Sequence, residues 1–328
     1  MNKRVLIDSR WKGNTGIGRL YQEIMDRKPP HVTDIHVQSN LSLGSMFTPL
    51  MLSKAIRSSS ADIFYSPSFM PPLSANIPFI ITIHDLMHLF YYSKMHKLYY
   101  EHVIARLAKK AKKIITVSHF SKQQLTDLLG IDERIITVIY NGVDRQFIHN
   151  QTAHILDRPY VLYVGNRRKN KNIPAMLQAF AQAQISNDII FAFSGQPDEQ
   201  LLQLAQQLGI HTRIRFLGFI AEEDLPKFYK GALATLYVSL MEGFGLPILE
   251  SMASGTPVLT SNTSSLPEIA GTAALCIDPH HVSEITYGIE QLINNNSLRQ
   301  HYIEEGFSRI EDFQWEHTAI QTWKAILS

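Results

Sequence analysis

The sequence is poor in cysteine, and this limits what can hold its fold together. Its 328 residues include one cysteine, Cys276, so no disulfide can form within the chain. We expect Cys276, in the apolar segment ALCID, to behave as a small buried side chain. The chain also lacks the run of about 18 apolar residues that a membrane-spanning helix needs. Its first residues, MNKRVLIDSRWKG, lead directly into a strand-like segment rather than a signal peptide. These absences predict a cytoplasmic protein.

A strong excess of charge of either sign is also lacking, with 31 lysines and arginines against 29 aspartates and glutamates. The net charge of +2 gives no general reason to expect nucleic-acid binding. The local exception is a basic run, residues 106–113, which follows an aromatic segment, residues 90–100. Two interpretations stay open for these residues: a solvated helix end, or peripheral contact with an anionic membrane surface.

Common metal and cofactor signatures are missing. The sequence contains no Asp-x-Asp, and its histidines do not have the spacing of metal ligands, so no metal or other cofactor is expected. A glycine-rich stretch begins with Gly16 and Gly18, but a dinucleotide fingerprint needs a third glycine where Tyr21 stands. The next strand candidate does not end in an acidic residue either. An NAD site is therefore poorly supported.

Twelve short apolar segments alternate with helical patterns along the whole chain. Segments that are apolar nearly throughout, with helices between them, predict parallel sheets covered on both faces. The pattern lapses between residues 146 and 158, which divides the segments into two sets of six. We predict an α/β protein with two doubly wound domains and a ligand in the cleft between them. The predicted strands are 5–8, 34–37, 62–66, 79–85, 114–118, 136–140, 160–165, 189–195, 213–219, 234–240, 257–261 and 274–278.

The most informative segment is 241–271, MEGFGLPILESMASGTPVLTSNTSSLPEIAG. Glu242 and Glu250 flank a Gly-Phe-Gly turn, and Pro247 is suited to open a helix. Main-chain N–H groups at such a helix start attract phosphate. Phosphate-binding amides between two acids that can bind hydroxyl groups suit a nucleotide sugar as the ligand.

This segment resembles the signature of the retaining glycosyltransferases of family 4, in which two glutamates are separated by seven residues that include Gly-Phe-Gly-Leu-Pro. The following Ser-Leu-Pro-Glu-Ile-Ala-Gly matches as well. The resemblance implies a GT-B fold, with two Rossmann-like domains facing a central cleft. It implies an acceptor-side domain over residues 1–150 and a nucleotide-sugar-binding domain over 151–312. A terminal helix within 313–328 would return to the first domain.

The resemblance also implies roles for the residues of the signature. Glu250 would accept hydrogen bonds from the ribose, and Glu242 would hold donor-sugar hydroxyls near the anomeric carbon. Phe219, after Gly218, lies where family members contact the base through the backbone. Glu268 is explained without catalysis, since Ser265 and Glu268 have the spacing of a helix capping box. The amides that would bind sugar hydroxyls and phosphate belong to Gly243, Phe244, Gly245 and Leu246.

A basic loop after the strand at 160–165 is the second phosphate-binding candidate. Taken alone, such a loop is more often simply solvated. In the family, this loop supplies an arginine and a lysine to the two phosphates, and Lys171 with its following asparagine matches the lysine. The position of the usual arginine is Asn166 here, so Arg167 or Arg168 would substitute.

The first domain would contribute further contacts. The Gly16–Gly18 run resembles a loop of mannosyl- and rhamnosyltransferase-like members that closes over the donor phosphates, although a flexible turn would explain it too. His84 follows a strand and matches a family residue near the donor sugar. Asp85 and Ser118 are further candidates, and Asn141 is similar to a family residue as well. A helix cap at Ser121 and a turn at Asn141-Gly142 explain the segments of Ser118 and Asn141 equally well.

The predicted function is a retaining, metal-independent hexosyl transfer from a nucleotide-diphosphate sugar to a glycan or lipid-linked oligosaccharide. The product would belong to lipopolysaccharide, O-antigen or another surface polysaccharide. GDP-mannose is favoured as the donor, and UDP-glucose, UDP-GlcNAc and dTDP-rhamnose stay open. The alternatives are a sugar-nucleotide epimerase or hydrolase on the same architecture, and a non-catalytic subunit that binds sugar nucleotides.

Overall fold

The computed structural model describes residues 2–13 and 15–328. The chain divides into two compact units. The first unit runs to Gly142 and includes Trp315–Ser328, and the second is Val143–Gln314. The division thus falls before the boundary predicted at residue 150, and the last helix belongs to the first unit.

Each unit contains one six-stranded sheet in which every recorded strand pair is parallel. In the first unit the spatial order is β2-β1-β3-β4-β5-β6, and in the second it is β12-β11-β10-β7-β8-β9. The first sheet is formed by β1 (Lys3–Ile7), β2 (Val32–His36), β3 (Ile63–Ser66), β4 (Phe79–Ile83), β5 (Lys113–Thr116) and β6 (Ile136–Val138). The second is formed by β7 (Tyr160–Tyr163), β8 (Ile190–Phe193), β9 (Ile214–Phe216), β10 (Ala234–Tyr237), β11 (Val258–Ser261) and β12 (Leu275–Ile277).

Crossover connections join consecutive strands of each sheet, as parallel pairing requires, and all of them except the one between β3 and β4 contain a helix. The first unit contains α1 (Gly16–Asp26), α2 (Thr48–Ser58), α3 (Lys94–Tyr99), α4 (Ala105–Ala108), α5 (His119–Leu129) and α14 (Trp315–Leu327). The second contains α6 (Arg145–His149), α7 (Ile173–Gln182), α8 (Glu199–Gln207), α9 (Leu225–Gly231), α10 (Leu246–Ala253), α11 (Leu266–Ala270), α12 (Val282–Asn294) and α13 (Asn296–Arg309). Short 3-10 turns and a π-helical turn at Tyr100–Ile104 complete the connections.

All twelve predicted strands are confirmed, and their burial explains why the pattern was readable. Four central strands, β4, β7, β8 and β10, are buried at every position. A strand covered on both faces has no solvent-facing positions, so its sequence reads as a continuous apolar run. The predicted α/β architecture of two doubly wound sheets is therefore confirmed.

The last helix, α14, packs against α1 of the first unit. Trp323 is 2% exposed, and its Nε1 donates to the carbonyl of Ile24 at 2.8 Å. Trp315 and Ile326 join the same apolar cluster as Ile24. At the start of this helix, a Cβ on Gly142 would lie 2.2 Å from the backbone nitrogen of Trp315, so only glycine fits there.

We predict that Trp323→Ala destabilises the first unit by about 3–5 kcal/mol, the usual cost of removing a buried aromatic side chain from a core. Ile320 lies on the same helix and is 54% exposed, so Ile320→Ala should change the free energy of unfolding by less than about 0.5 kcal/mol. Chemical denaturation of both variants measures the difference. Equal losses would contradict the packing of α14 described above.

Candidate active site

The site lies where the strand order of the second sheet reverses. β7 and β10 are neighbours, and the chain continues from β7 to β8 on one side but from β10 to β11 on the other. In open parallel sheets, ligands bind outside the carboxyl ends of the strands at such a point, because the two loops diverge there. The loop after β7 carries the predicted basic residues, and the loop after β10 carries Glu242.

A buried ion pair joins these two loops. Lys171 Nζ donates to Glu242 Oε1 at 2.6 Å and to the phenolic oxygen of Tyr237 at 2.8 Å. Lys171 and Glu242 are 7% and 6% exposed. Buried charges are tolerated only when they are paired and hydrogen-bonded, as they are here. Two residues 71 positions apart, selected from sequence as separate parts of a donor site, are therefore in direct contact.

Main-chain contacts fix the position of Glu242. Its N–H donates to Ser264 Oγ at 3.1 Å, and its carbonyl accepts from Ser265 Oγ at 3.0 Å. Ser265 Oγ also donates to the carbonyl of Phe244 at 2.8 Å. Ser264 adopts a left-handed backbone, with φ of 58°, which is uncommon for a residue other than glycine. The Ser264–Ser265 turn therefore holds the Gly-Phe-Gly turn from outside.

This finding corrects the predicted role of Ser265. Ser265 is the residue before α11, but its side chain makes no capping hydrogen bond to that helix. The capping box predicted with Glu268 is wrong, because the hydroxyl is committed to the carbonyls of Glu242 and Phe244 instead. Glu268 does lie in the first turn of α11, where an acidic residue is favoured by the helix dipole.

The signature turn opens α10 as its sequence predicts. Gly245 precedes the helix with φ of 118°, a conformation that favours glycine, and Pro247 lies in the first turn. A Cβ on Gly245 would also lie 2.8 Å from Leu266. The first N–H groups of any helix have no partner within the helix, so this end attracts negative charge. Phe244 is buried, and its ring packs against Phe313.

Glu250 lies on α10, about one turn inside the helix, in an environment unlike that of Glu242. Tyr229 donates its phenolic hydrogen to Glu250 Oε2 at 2.8 Å. Burial raises the pKa of Glu250 to about 7, against the lowering effect of the Tyr229 hydrogen bond, and Asp144 and Glu222 add to the rise. Glu250 therefore titrates near neutral pH. Its ionised form offers two acceptor oxygens to hydroxyl groups, whereas protonation turns one of them into a donor and removes the charge.

The basic loop after β7 contains two arginines in different settings. Arg167 donates to the carbonyls of Gln196 at 2.6 Å and Ser194 at 3.0 Å, and its guanidinium lies 4.8 Å from the centroid of the Phe216 ring. Arg168 is exposed. Arg167 thus ties the β7 loop to the β8 loop. The preceding residues are held as well, since Tyr163 donates its hydroxyl to the carbonyl of Asn166.

The loops after β8 and β9 are joined through glycines. Gly195 donates its N–H to the carbonyl of Gly218 at 2.7 Å, and both residues have positive φ, 88° and 70°. Phe219 follows Gly218 and is 87% exposed. An aromatic ring this exposed contributes almost nothing to the core. The predicted base contact at Phe219 stays a prediction, and the loop leaves its backbone and ring at the surface.

In the first unit, His84 follows β4 directly. Its Nε2 lies 2.9 Å from the carbonyl of Pro67, and its own carbonyl accepts from Ser121 Oγ at 3.3 Å. Burial lowers the pKa of His84, against opposing effects from the Pro67 carbonyl and Asp85. The imidazole is therefore neutral near pH 7. Because a carbonyl can only accept, the proton is inferred to be on Nε2, which leaves Nδ1 as an acceptor.

The other candidates of the first unit have structural roles. Asp85 accepts from the N–H of Met87 at 2.8 Å, an Asx-type turn. Ser118 is the N-cap of α5, where it accepts from the N–H of Ser121 at 3.1 Å. The cap is thus Ser118 itself rather than Ser121, the predicted position three residues later. A part in the reaction for Asp85 or Ser118 stays a prediction.

The glycines of the α1 loop also have a structural explanation. Thr15 caps α1 by accepting from the N–H of Gly18 at 3.1 Å, and Gly16 is the first helical residue. A Cβ on Gly18 would lie 1.9 Å from the carbonyl oxygen of Gly13, so glycine is needed for packing within the loop. The predicted contact of Gly16 and Gly18 with donor phosphates stays a prediction.

Sequence reasoning missed Tyr237, Tyr229 and Asn170. Asn170 donates to the carbonyl of Met241 at 3.0 Å, and its own main-chain carbonyl accepts from the N–H of Leu240, so it ties the β7 loop to the β10 loop just before Glu242. All three belong to apolar or basic stretches with no motif of their own. The only available signal for Asn170 was its position beside Lys171.

The described residues offer neither a cluster of metal ligands nor a membrane-spanning helix. Within residues 2–13 and 15–328, no group of three or more histidines, cysteines or acids is placed to hold a metal ion. Over the same residues, no helix combines the length and the apolar character that crossing a bilayer requires.

Two family models match the chain in consecutive stretches. The model described as Glycosyl transferases group 1 matches residues 144–309, and the model described as Glycosyltransferase Family 4 matches residues 15–147. The O-antigen chain mannosyltransferase B of Escherichia coli is 32% identical over 289 residues, which cover 83% of this chain and 75% of that protein. The O-antigen chain mannosyltransferase RfbU of Salmonella typhimurium is 31% identical over 204 residues, 61% of this chain and 56% of that protein.

Solved structures agree on the fold. Anabaena HepE, crystallised with UDP and glucose, superposes with a TM-score of 0.76 at 18% identity, covering 98% of both chains. Together with the two parallel sheets, this likeness confirms the predicted GT-B fold. The family resemblance seen in the signature turn is confirmed as well: the chain is a glycosyltransferase and belongs to the group 1 glycosyl transferases, family 4.

Proposed function

We propose that this glycosyltransferase transfers a hexose from a nucleotide-diphosphate sugar to a glycan or lipid-linked oligosaccharide, with retention of anomeric configuration. The observation that carries the proposal is the buried Lys171–Glu242 pair at the switch point of the second sheet, beside the N-terminus of α10. A cation and helix amides suit a diphosphate. A carboxylate within 2.6 Å of that cation suits the sugar carried by the same diphosphate.

In the proposed mechanism the leaving nucleotide is stabilised by groups that are already in place. Negative charge grows on the β-phosphate as the glycosidic bond breaks, and Lys171 and the first amides of α10 face it without rearrangement. Arg167 anchors the loop, and the exposed Arg168 is the arginine we assign to direct phosphate contact. Glu242 holds sugar hydroxyls and balances the positive charge that develops at the anomeric carbon. No metal is part of this proposal.

Retention follows if the acceptor hydroxyl attacks from the face that the nucleotide leaves. A β-phosphate oxygen then takes the acceptor proton, so the protein need not supply a general base at that position. The neutral His84 fits this scheme, since its Nδ1 can accept a hydrogen bond from a sugar hydroxyl. Glu250 binds the ribose hydroxyls, and the loop at Gly218 and Phe219 contacts the base.

The names of two relatives favour mannose as the transferred sugar and the O-antigen as the acceptor. Two relatives that are 32% and 31% identical are named as O-antigen mannosyltransferases. The chain spans 75% of the length of the first but only 56% of the second. We therefore propose GDP-mannose as the donor, and an O-antigen or other lipopolysaccharide glycan as the acceptor.

We also propose peripheral membrane contact, through residues that differ in part from those predicted. The exposed apolar side chains Met46, Phe47, Met95 and Leu98 lie on two segments that Tyr99 joins by donating to the carbonyl of Met46 at 3.1 Å. Lys94 and Lys97 are exposed beside them. The lysines of residues 109–113 lie about 20 Å from Lys94, because the helical stretch 94–108 separates them.

We predict that Glu242→Gln lowers nucleotide release from the preferred donor about a hundredfold or more, because a neutral amide cannot balance developing positive charge. Release is measured with GDP-mannose, UDP-glucose, UDP-GlcNAc and dTDP-rhamnose. Glu304→Gln, at an exposed position on α13, is the control and should keep wild-type turnover.

The same assay separates the alternatives. A hydrolase or epimerase would consume donor equally well without a glycan acceptor. A non-catalytic subunit would be stabilised by nucleotides but would release none from any donor. Wild-type turnover by Glu242→Gln, with its melting temperature retained, would overturn the role of this residue.

We predict a pH dependence from Glu250. Because burial raises its pKa to about 7, the free enzyme loses the carboxylate as pH falls through 7. The kcat/KM for donor should therefore fall by about tenfold per pH unit below that value. The Tyr229 hydrogen bond lowers the pKa of Glu250, so Tyr229→Phe should move the inflection to higher pH. A profile that is flat from pH 8 to about 5.5 would show that Glu250 is not the group that binds the ribose.

We predict that wild-type protein co-sediments with phosphatidylcholine vesicles containing phosphatidylglycerol, and that added salt weakens the binding. The double variant Phe47→Ser/Met95→Ser should bind at least about tenfold more weakly, because it removes two exposed apolar side chains. Ile320→Ser, at an exposed apolar position on α14, is the control. Failure of the wild type to bind, or equal binding by the double variant, would overturn the membrane contact.

A further inference from the structure

Tyr237 is the last residue of β10 and is one of two buried acceptors for the same ammonium group. Its phenolic oxygen accepts from Lys171 Nζ at 2.8 Å. Glu242 Oε1 accepts from the same Nζ at 2.6 Å. Tyr237 is 2% exposed, so its hydroxyl is shielded from water. Lys171 is therefore held by a carboxylate and a phenol at once.

The geometry restricts the ammonium group of Lys171. An ammonium has three N–H donors and no acceptor. Glu242 and Tyr237 take two of these donors. A group held by two acceptors cannot rotate about its Cε–Nζ bond without breaking a hydrogen bond, so the direction of the third N–H is fixed. With Glu242 as its only acceptor, the same group would rotate among several orientations.

We infer that Tyr237 is a positioning residue that directs the third N–H of Lys171 toward a phosphate oxygen of the nucleotide donor. The inference rests on the proposed function, because it is the diphosphate that receives this hydrogen bond. Tyr237 touches no reacting atom in this scheme and acts only through Lys171 and Glu242. A preoriented N–H group stabilises the transition state, where charge on the β-phosphate is largest, more than it stabilises the ground state.

The sheet offers a matched comparison in Tyr160, at the start of β7. Tyr160 is 1% exposed and donates to the carbonyls of His154 at 3.0 Å and Phe228 at 2.8 Å. Both of its partners are main-chain groups away from the Lys171–Glu242 pair. Tyr160→Phe and Tyr237→Phe thus each remove one buried hydroxyl from the same sheet, and only the second removes a partner of Lys171.

The experiment compares wild type, Tyr237→Phe and Tyr160→Phe in donor turnover. We expect Tyr237→Phe to lower kcat by about tenfold or more, with donor KM changed less than about threefold, because the lost interaction is strongest in the transition state. Tyr160→Phe should keep kcat within about twofold of wild type, whatever its effect on melting temperature. Comparable values of kcat in the two variants would overturn the inference.

A second measurement needs no turnover. GDP and UDP carry the terminal phosphate in its fully charged form, so their dissociation constants report the same contact by calorimetry. Tyr237→Phe should raise the dissociation constant of the better-bound nucleotide by about threefold to tenfold in the wild-type background. The rise should be less than about twofold when Lys171→Met is also present. Equal weakening in both backgrounds would show that Tyr237 does not act through Lys171.

The two measurements separate failure of the inference from failure of the proposed function. If the wild type turns over no donor, the proposed transfer reaction is wrong. The comparison of nucleotide binding with and without Lys171→Met still decides the role of Tyr237. If the wild type is active and Tyr237→Phe matches it in both assays, the inference alone fails.

Discussion

The structure of the second unit depends on a charged pair placed where a protein interior tolerates charge least. Lys171 and Glu242 are both more than nine-tenths buried, and removing either partner of such a pair leaves an uncompensated charge. The neighbouring contacts follow from this constraint. Asn170 fixes the β10 loop just before Glu242, Ser264 and Ser265 fix the main chain of Glu242, and Tyr237 accepts a hydrogen bond from Lys171. Each contact limits the ways in which the pair could separate.

The same constraint explains why the two acids of the signature differ. Glu242 is paired with a cation, whereas Glu250 has a phenol as its partner. Burial, with a smaller effect from acidic neighbours, raises the pKa of Glu250 to about 7 although the phenol lowers it. Environments that separate two carboxyls in this way assign them different roles. A permanently paired carboxylate suits charge compensation at the sugar. A carboxyl that titrates near neutrality suits reversible binding of hydroxyl groups, and this makes donor affinity sensitive to pH.

The sequence predicted features that depend on neighbouring residues, and it missed contacts between residues far apart in the chain. All twelve strands could be predicted, most clearly the central ones such as β4, β7, β8 and β10, because strands buried on both faces are apolar throughout. The α10 start could be predicted because Gly245 and Pro247 have fixed backbone preferences. The predicted role of Ser265 was wrong. Its capping-box spacing is a local pattern, but the partners of its hydroxyl lie more than 20 residues earlier in the chain. Tyr237 could not be found, because a tyrosine in an apolar strand reads as core until the facing loop is known.

The candidate residues of the two units therefore do not have equal support. In the first unit, Gly18 is needed for loop packing, Asp85 forms a turn and Ser118 caps a helix, so their identities are explained without a substrate. In the second unit, no packing or capping requirement calls for a lysine and a glutamate, and burying them costs free energy. Residues that are costly to bury, and that neither packing nor helix capping requires to be charged, are the ones that function must explain. The assignment of donor chemistry accordingly rests on the second unit, and within the first unit it rests on His84, whose Nδ1 remains an acceptor.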